Sequence, residues 1–189
     1  MSKLRVVSGT TPRISGSVAR PADNTQYGIG DIIANSGTAV SVVPITFNMG
    51  ASSGRLTGCR ATVLAASGTI VLPAFDLILF RPNTDIPFAA GAYPADNAAL
   101  NISAAAYNEV IAIYQFSASS WRNRAGGTTA AGAHIYQAVS LASRSIAPFN
   151  IVGLPSTTTL LGLVQAQNAW TPTGVVNTIS FALDADLDV

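Results

Sequence analysis

The stretch Val175-Val176-Asn177-Thr178-Ile179-Ser180-Phe181-Ala182-Leu183-Asp184-Ala185-Asp186-Leu187 alternates strictly from residue 179 onward. Ile179, Phe181, Leu183, Ala185 and Leu187 fall on one side of an extended chain, and Ser180, Ala182, Asp184, Asp186 and Asp188 fall on the other. A period of two marks a half-buried β-strand, one side in a core and the other in water. Upstream, short apolar runs bounded by Gly, Pro, Asn and Ser recur along the chain. They predict further strands at Val40–Phe47, Cys59–Ala65, Thr69–Phe80, Val110–Phe116, Ala133–Leu141, Phe149–Val152 and Leu160–Gln165, with Val175–Leu187 as the last. Phe75–Phe80 and Val110–Phe116 are apolar on both faces, which predicts central positions in their sheets.

One segment reads as helical. Ala98–Ala106 is rich in the best helix former, and Ser103 is placed to cap a short turn over Ala104–Asn108. It lies inside the connection Asn83–Glu109, which is too long for a hairpin and is expected to cross between two sheets. No composition break divides the chain after about residue 21. The expected fold is all-β: a single β-sandwich of jelly-roll type over residues 21–189, one short helix in its crossover loop, and an extended basic arm over residues 1–20.

Composition bounds the function. Of 189 residues 49% are hydrophobic and only 10% are charged, against about 25% in an ordinary soluble domain. Disordered chains are charge-rich, so disorder is excluded. The net charge of +1 gives no bulk attraction for nucleic acid. The uncharged stretch Ser145–Ala182 is broken by Pro148, Pro155 and Pro172 and does not read as a membrane span. Met1–Arg20 alternates basic, polar and small residues without an apolar leader, so the expectation is synthesis in the cytoplasm. The single Cys59 forms no intrachain disulfide and reads as a small buried apolar residue.

The search for chemistry is nearly empty. No G-x-S-x-G elbow, phosphate-binding loop or H-E-x-x-H pair occurs, and Gly28-Ile29-Gly30 is an incomplete dinucleotide fingerprint. His134 is the sole imidazole, in a strand context with Tyr136 on its own face. Asp76 and Glu109 flank apolar strands, and nothing in the sequence pairs them as a glycosidase would. Asp184, Asp186 and Asp188 share one strand face, where a straight strand splays them too far apart for calcium. No cofactor, no metal and no enzymatic activity are expected.

What remains points to contact surfaces. Lys3, Arg5, Arg13 and Arg20 fall in the first twenty residues, which hold no acid, while the last six hold three aspartates and no base. The basic arm reads as one that docks on a neighbouring subunit or larger assembly, and the Asp184, Asp186, Asp188 edge as an acidic contact patch for an arginine of the next copy, Arg122 or Arg124. Ser119–Gly127 reads as a hairpin tip presenting Trp121, Arg122 and Arg124, an aromatic followed by two arginines of the kind that anchors interfaces. Trp170 reads as a second turn-borne aromatic, and the two tryptophans together suit a sugar platform. The tetrapeptide Pro-Ala-Asp-Asn occurs at Pro21–Asn24 and Pro94–Asn97 with unlike flanks, which reads as reused turn chemistry.

The segment Arg20-Pro21-Ala22-Asp23-Asn24-Thr25-Gln26-Tyr27-Gly28-Ile29-Gly30-Asp31-Ile32-Ile33 resembles a pattern in small structural proteins of tailed bacteriophages and prophages. Gly54-Arg55-Leu56, Phe75-Asp76-Leu77-Ile78-Leu79-Phe80 and Asp96-Asn97-Ala98-Ala99-Leu100 continue the likeness over roughly Arg20–Ile113. The resemblance implies a jelly-roll capsid decoration, or cement, protein. Such a protein sits on the virion exterior and partners the major capsid protein and itself as a homotrimer or homodimer, with no nucleic acid, membrane or catalytic residues involved. The alternative expectation is a receptor- or glycan-binding jelly roll of a phage fibre or tail, using Trp121 and Trp170.

Overall fold

The computed structural model describes residues 14–38, 43–65, 73–82, 94–102, 104–123, 134–139, 147–152, 158–172 and 177–188. In chain order the strands are β1 (Ile14–Arg20), β2 (Ile32–Ile33), β3 (Ile45–Asn48), β4 (Ser53–Ala65) and β5 (Phe75–Phe80). After the short helix α1 (Ala104–Tyr107) come β6 (Val110–Phe116), a 3-10 turn at Ala118–Ser120, and β7 (Arg122–Asn123). The chain ends with β8 (His134–Val139), β9 (Ala147–Asn150), β10 (Thr159–Ala166) and β11 (Asn177–Leu187).

Two antiparallel sheets pack face to face. The first runs β1-β11-β4-β8-β7, with β9 also on β4; the second runs β2-β10-β5-β6, with β3 also on β10. In each sheet one long strand is shared along one edge. β9 takes Ser53–Leu56 and β8 takes Arg60–Ala65 of β4, while β3 takes Thr159–Gly162 and β2 takes Val164–Gln165 of β10.

Counting such shared strands as single lanes and setting aside β7, a two-residue strand added at the edge beside β8, leaves eight lanes, paired first with eighth, second with seventh, third with sixth and fourth with fifth. That is one long hairpin rolled up so that alternate lane pairs fall in opposite sheets, with orders 1-8-3-6 and 2-7-4-5. This is the jelly roll that the alternating runs predicted.

Three expectations need correction. Ile14–Arg20 is not part of an arm: it pairs with β11 over seven residues, from Ile14 opposite Leu183 to Arg20 opposite Asn177. Ile14 and Val18 enter the core; the small residues between them hid the alternation. The connection after β5 does not cross between sheets, because β5 and β6 are neighbours in one sheet and the connection is the tip of the rolled hairpin. β6 is not central either. It closes the second sheet, and its first four residues are only half-buried.

β4 also starts earlier than predicted. Its register with β11 skips Thr57, a bulge between the Asp184–Gly58 and Ala185–Leu56 pairs. The extra residue reverses which side faces inward, so Cys59, Ala61 and Val63 are buried above the bulge and Leu56 and Gly54 below it. A single period-two register therefore sees only the upper half.

The main core lies between the sheets. Phe75 of the second sheet meets Phe116 at 5.1 Å and Phe181 of the first sheet edge-on at 5.8 Å. A second, smaller core covers the outer face of the second sheet, where Ile32, Ala34, Ile78, Phe80 and Leu163 pack with Leu100. Leu100 comes from a strap, residues 94–102, that lies along β2. Ile32 N–H donates to Ala98 O at 2.9 Å, Asn97 N–H to Ile32 O at 3.0 Å, and Leu100 N–H to Gly30 O at 2.9 Å. This second core is why β5 is buried on both faces.

Candidate functional site

Arg20, Asp23, Tyr27 and Asp96, from two of the stretches that carry the sequence likeness, converge at one end of the sandwich, whereas Gly54-Arg55-Leu56 lies toward the other end of β4. Arg20 ends β1 and is 1% exposed. Its Nη1 donates to Asp23 O at 3.0 Å and to Asp23 Oδ1 at 3.3 Å. Asp23 also accepts Thr25 N–H at 3.1 Å, closing an Asx turn. That turn brings Tyr27 inward, where its hydroxyl donates to both carboxylate oxygens of Asp96, at 2.7 and 2.6 Å. Ala34 N–H adds a third donor to Asp96 at 2.8 Å.

Trp170 lies flat on Tyr27, ring centroids 5.0 Å apart and planes 9° from parallel. Gly28 N–H donates to Asp31 Oδ2 at 2.6 Å and fixes the following turn. Burial pushes the Asp96 carboxyl above its ordinary range, opposed by the Ala34 and Tyr27 hydrogen bonds. Burial also pushes the Tyr27 phenol up, with Asp96 adding to it. The arrangement is a polar knot that ties the strap to the end of β1. The Arg20, Asp23, Tyr27 and Asp96 side chains are spent on these internal contacts, which gives the knot a structural role.

The predicted contact residues separate into three groups. Lys3, Arg5, Arg13 and Arg124 lie outside the described residues. Arg20 and Trp121 are buried and cannot face a partner. Trp121 turns inward after the 3-10 turn, where its Nε1–H donates to Pro73 O at 2.9 Å and its ring meets Phe75 at 5.8 Å. Trp170 is buried too, so the two tryptophans form no sugar platform.

The rest are on the surface. Arg122 is exposed but folds back, its Nη1 donating to Ser119 O at 2.8 Å and Trp121 O at 3.0 Å. Asp184 pairs with Arg60 of β4 at 3.2 Å. Asp186 is exposed opposite Arg55, and Asp188 accepts Ser53 Oγ–H at 3.0 Å. The acidic edge is thus partly engaged by its own sheet. Among the described residues, no three His, Cys, Asp or Glu side chains are grouped as metal ligands, and no helix is long and apolar enough to cross a membrane.

Asp76 and Glu109 do not form a pair. Asp76 sits opposite Gln115, while Glu109 precedes Val110 at the other end of β6, opposite Phe80. At about 3.4 Å per residue that is more than roughly 13 Å, beyond the separations glycosidases use. Cys59 is buried in the main core, and burial raises its thiol well above the ordinary range. No protein-family model matches the chain, and no curated protein is significantly similar to it.

The knot is what sequence reasoning missed. Its signal was present in the two Pro-Ala-Asp-Asn tetrapeptides, which supply Asp23 and Asp96. They are used differently: the first closes an Asx turn on itself, whereas the second offers Asp96 across the fold and places Asn97 at φ 61°.

Proposed function

We propose that this protein is a capsid decoration, or cement, protein of a tailed phage or prophage. On this reading it binds the outer surface of the head lattice and bridges capsid subunits as a homotrimer or homodimer. One observation carries the reading. Two of the four stretches through which the sequence resembles such proteins, Arg20–Ile33 and Asp96–Leu100, meet in the polar knot and the strap, so that part of the likeness follows an architectural unit and not scattered composition.

The outer face of the first sheet supports it. Ser17, Ser180 and Thr62 lie in one cross-strand row, flanked by Ser15, Ala182 and Thr178, with the Arg60–Asp184 pair near one end. Along β1 and the adjoining part of β11 this face carries small, neutral side chains, which another protein can approach closely with little charge to desolvate. Several such contacts per oligomer multiply occupancy on a repetitive lattice.

The test is co-sedimentation with undecorated heads of the phage that encodes the protein, together with mass measurement in solution. The full chain is expected to pellet with heads and to raise the temperature at which they rupture. A chain that stays in the supernatant and leaves head stability unchanged overturns the proposal. Deletion of residues 1–13, which spares β1, then measures what the basic segment adds.

A further inference from the structure

An edge strand offers unpaired N–H and C=O groups to any strand that reaches it, and natural sheets blunt their edges by shortness, proline, bulges, charge or a covering segment. Most edges of this sandwich carry such a device. β7 is two residues long, and β9 is four and holds Pro148. β2 is two residues long with the strap along it, and β3 is four. β6 is bulged, since its register with β5 skips Ile111 between the Leu79–Ala112 and Phe80–Val110 pairs.

β1 carries none of these. It pairs with β11 over all seven residues without a bulge and contains no proline. Among the described residues no strand and no backbone hydrogen bond lies on its other side. Its one charged residue, Arg20, ends the strand and is buried with its guanidinium on Asp23.

The flanks of this edge say what kind of strand fits beside it. On the outer side Ser15, Ser17 and Ala19 are exposed, small and neutral. On the inner side Ile14 and Val18 are buried, and β3 packs Ile45 and Phe47 directly over Gly16. Val43, 61% exposed, shares a shallow pocket with Val18 at the seam between the sheets. A strand added here needs small neutral residues on its outer side and cover for the residues on its inner side. A lone extended peptide brings a backbone but no such cover. A second copy brings both, because its own β1 has the same outer residues and its own second sheet already covers the inner ones.

We infer that β1 is a homodimer interface, in which the β1 strands of two copies pair antiparallel about a two-fold axis at Ser17 and the first sheet runs through both. Residues facing each other across a ladder lie on the same side of a sheet. Among axes that respect this, only one at Ser17 overlaps all seven residues, and it sets Ser15 opposite the partner's Ala19. The contact is isologous, each copy giving and receiving the same bonds. A ladder of this length with little apolar area predicts a dimer of micromolar order and not a permanent one. The pairing does not depend on the decoration reading; where that reading holds, it selects the homodimer.

The outer positions serve the test, since all three are exposed and substitution there leaves the core untouched. Ser15→Lys, Ser17→Lys and Ala19→Lys combined place like charges opposite one another along the whole ladder, and the matching glutamate triple does the same. Wild-type protein alone, sedimented over a concentration series, is expected to pass from monomer to dimer. Each triple variant, folded by circular dichroism, is expected to dimerise at least about tenfold more weakly. An equimolar mixture of the two is expected to regain the dimer, because positive side chains of one copy then face negative ones of the other.

A wild type that stays monomeric up to about 100 μM overturns the homodimer. So does a lysine triple that dimerises as the parent does, or a mixture that dimerises no better than its components. A protein that is monomeric alone and loses head binding only in the triple variants gives the edge to a strand of a head protein, which also overturns the homodimer. Dimers that leave heads unbound keep the pairing and remove the decoration role.

Discussion

At the scale of single residues, Tyr27 and Asp96 decide how the strap is held. Tyr27→Phe removes the donor to both Asp96 oxygens and leaves a half-buried carboxylate with less support. Losing such a bond to a charged group costs about 1.5–3 kcal/mol. The pH dependence has a definite sign. The folded-state pKa values of Asp96 and Asp76 are both raised above 3.8, so the folded state holds more protons than the unfolded chain in the window above that value. Their unfavourable contribution is present at neutral pH and is relieved as pH falls through the raised values. Urea midpoints measured from about pH 7 down toward about pH 4 should therefore show these two groups favouring the fold on acidification, and Asp96→Asn should flatten the trend. A steeper acid loss in the wild type than in the variant would contradict this. Composition could not reveal the knot, because which aspartate meets which tyrosine is settled 69 residues away in sequence.

At the scale of elements, the strands with two-sided or strictly alternating apolar patterns were legible. β10 and β11 appear where the pattern places them, and β5 takes the Phe75–Phe80 part of the predicted Thr69–Phe80 run, of which residues 69–72 lie outside the described residues. β1 was hidden because Ser15, Gly16 and Ser17 interrupt its apolar positions and its arginine suggested an exposed arm. The lower half of β4 was hidden by the bulge at Thr57, which moves the apolar positions onto the other parity. Trp121 and Arg20 misled for a shared reason: residue type suggests a surface role, and only the fold shows where the side chain turns.

Packing at one strand position gives a sharp expectation. A Cβ added at Gly162 would lie 2.7 Å from Phe47 Cε2 and 3.2 Å from Leu77 Cδ1. These are buried side chains of β3 and β5, so neither can swing into solvent. Gly162→Ala should therefore destabilise the protein by about 1–3 kcal/mol, the usual penalty of overpacking. The check is the urea midpoint at constant slope; an unchanged midpoint would mean that β3 yields more easily than its pairing with β10 suggests.

At the scale of the molecule, the roll makes the first and last described strands partners and puts β11 between β1 and β4. The first sheet cannot be completed until β11 is in place, nor the second until β10 is. The fold is therefore dominated by pairings between distant segments and should behave as a single cooperative unit.

Cys59, the chain's sole cysteine, sits 1% exposed beneath this arrangement on β4. A thiol reacts as thiolate, and this one is both shielded and held protonated. The molecule thus carries a built-in clock: an aromatic disulfide reagent can reach the sulfur only in chains whose sheets have come apart. Labelling should be slow in native buffer, should accelerate with urea in step with loss of β-structure, and should give the opening rate without any engineered probe. Fast labelling of the intact fold would show that β4 can detach from its neighbours while the rest of the roll holds.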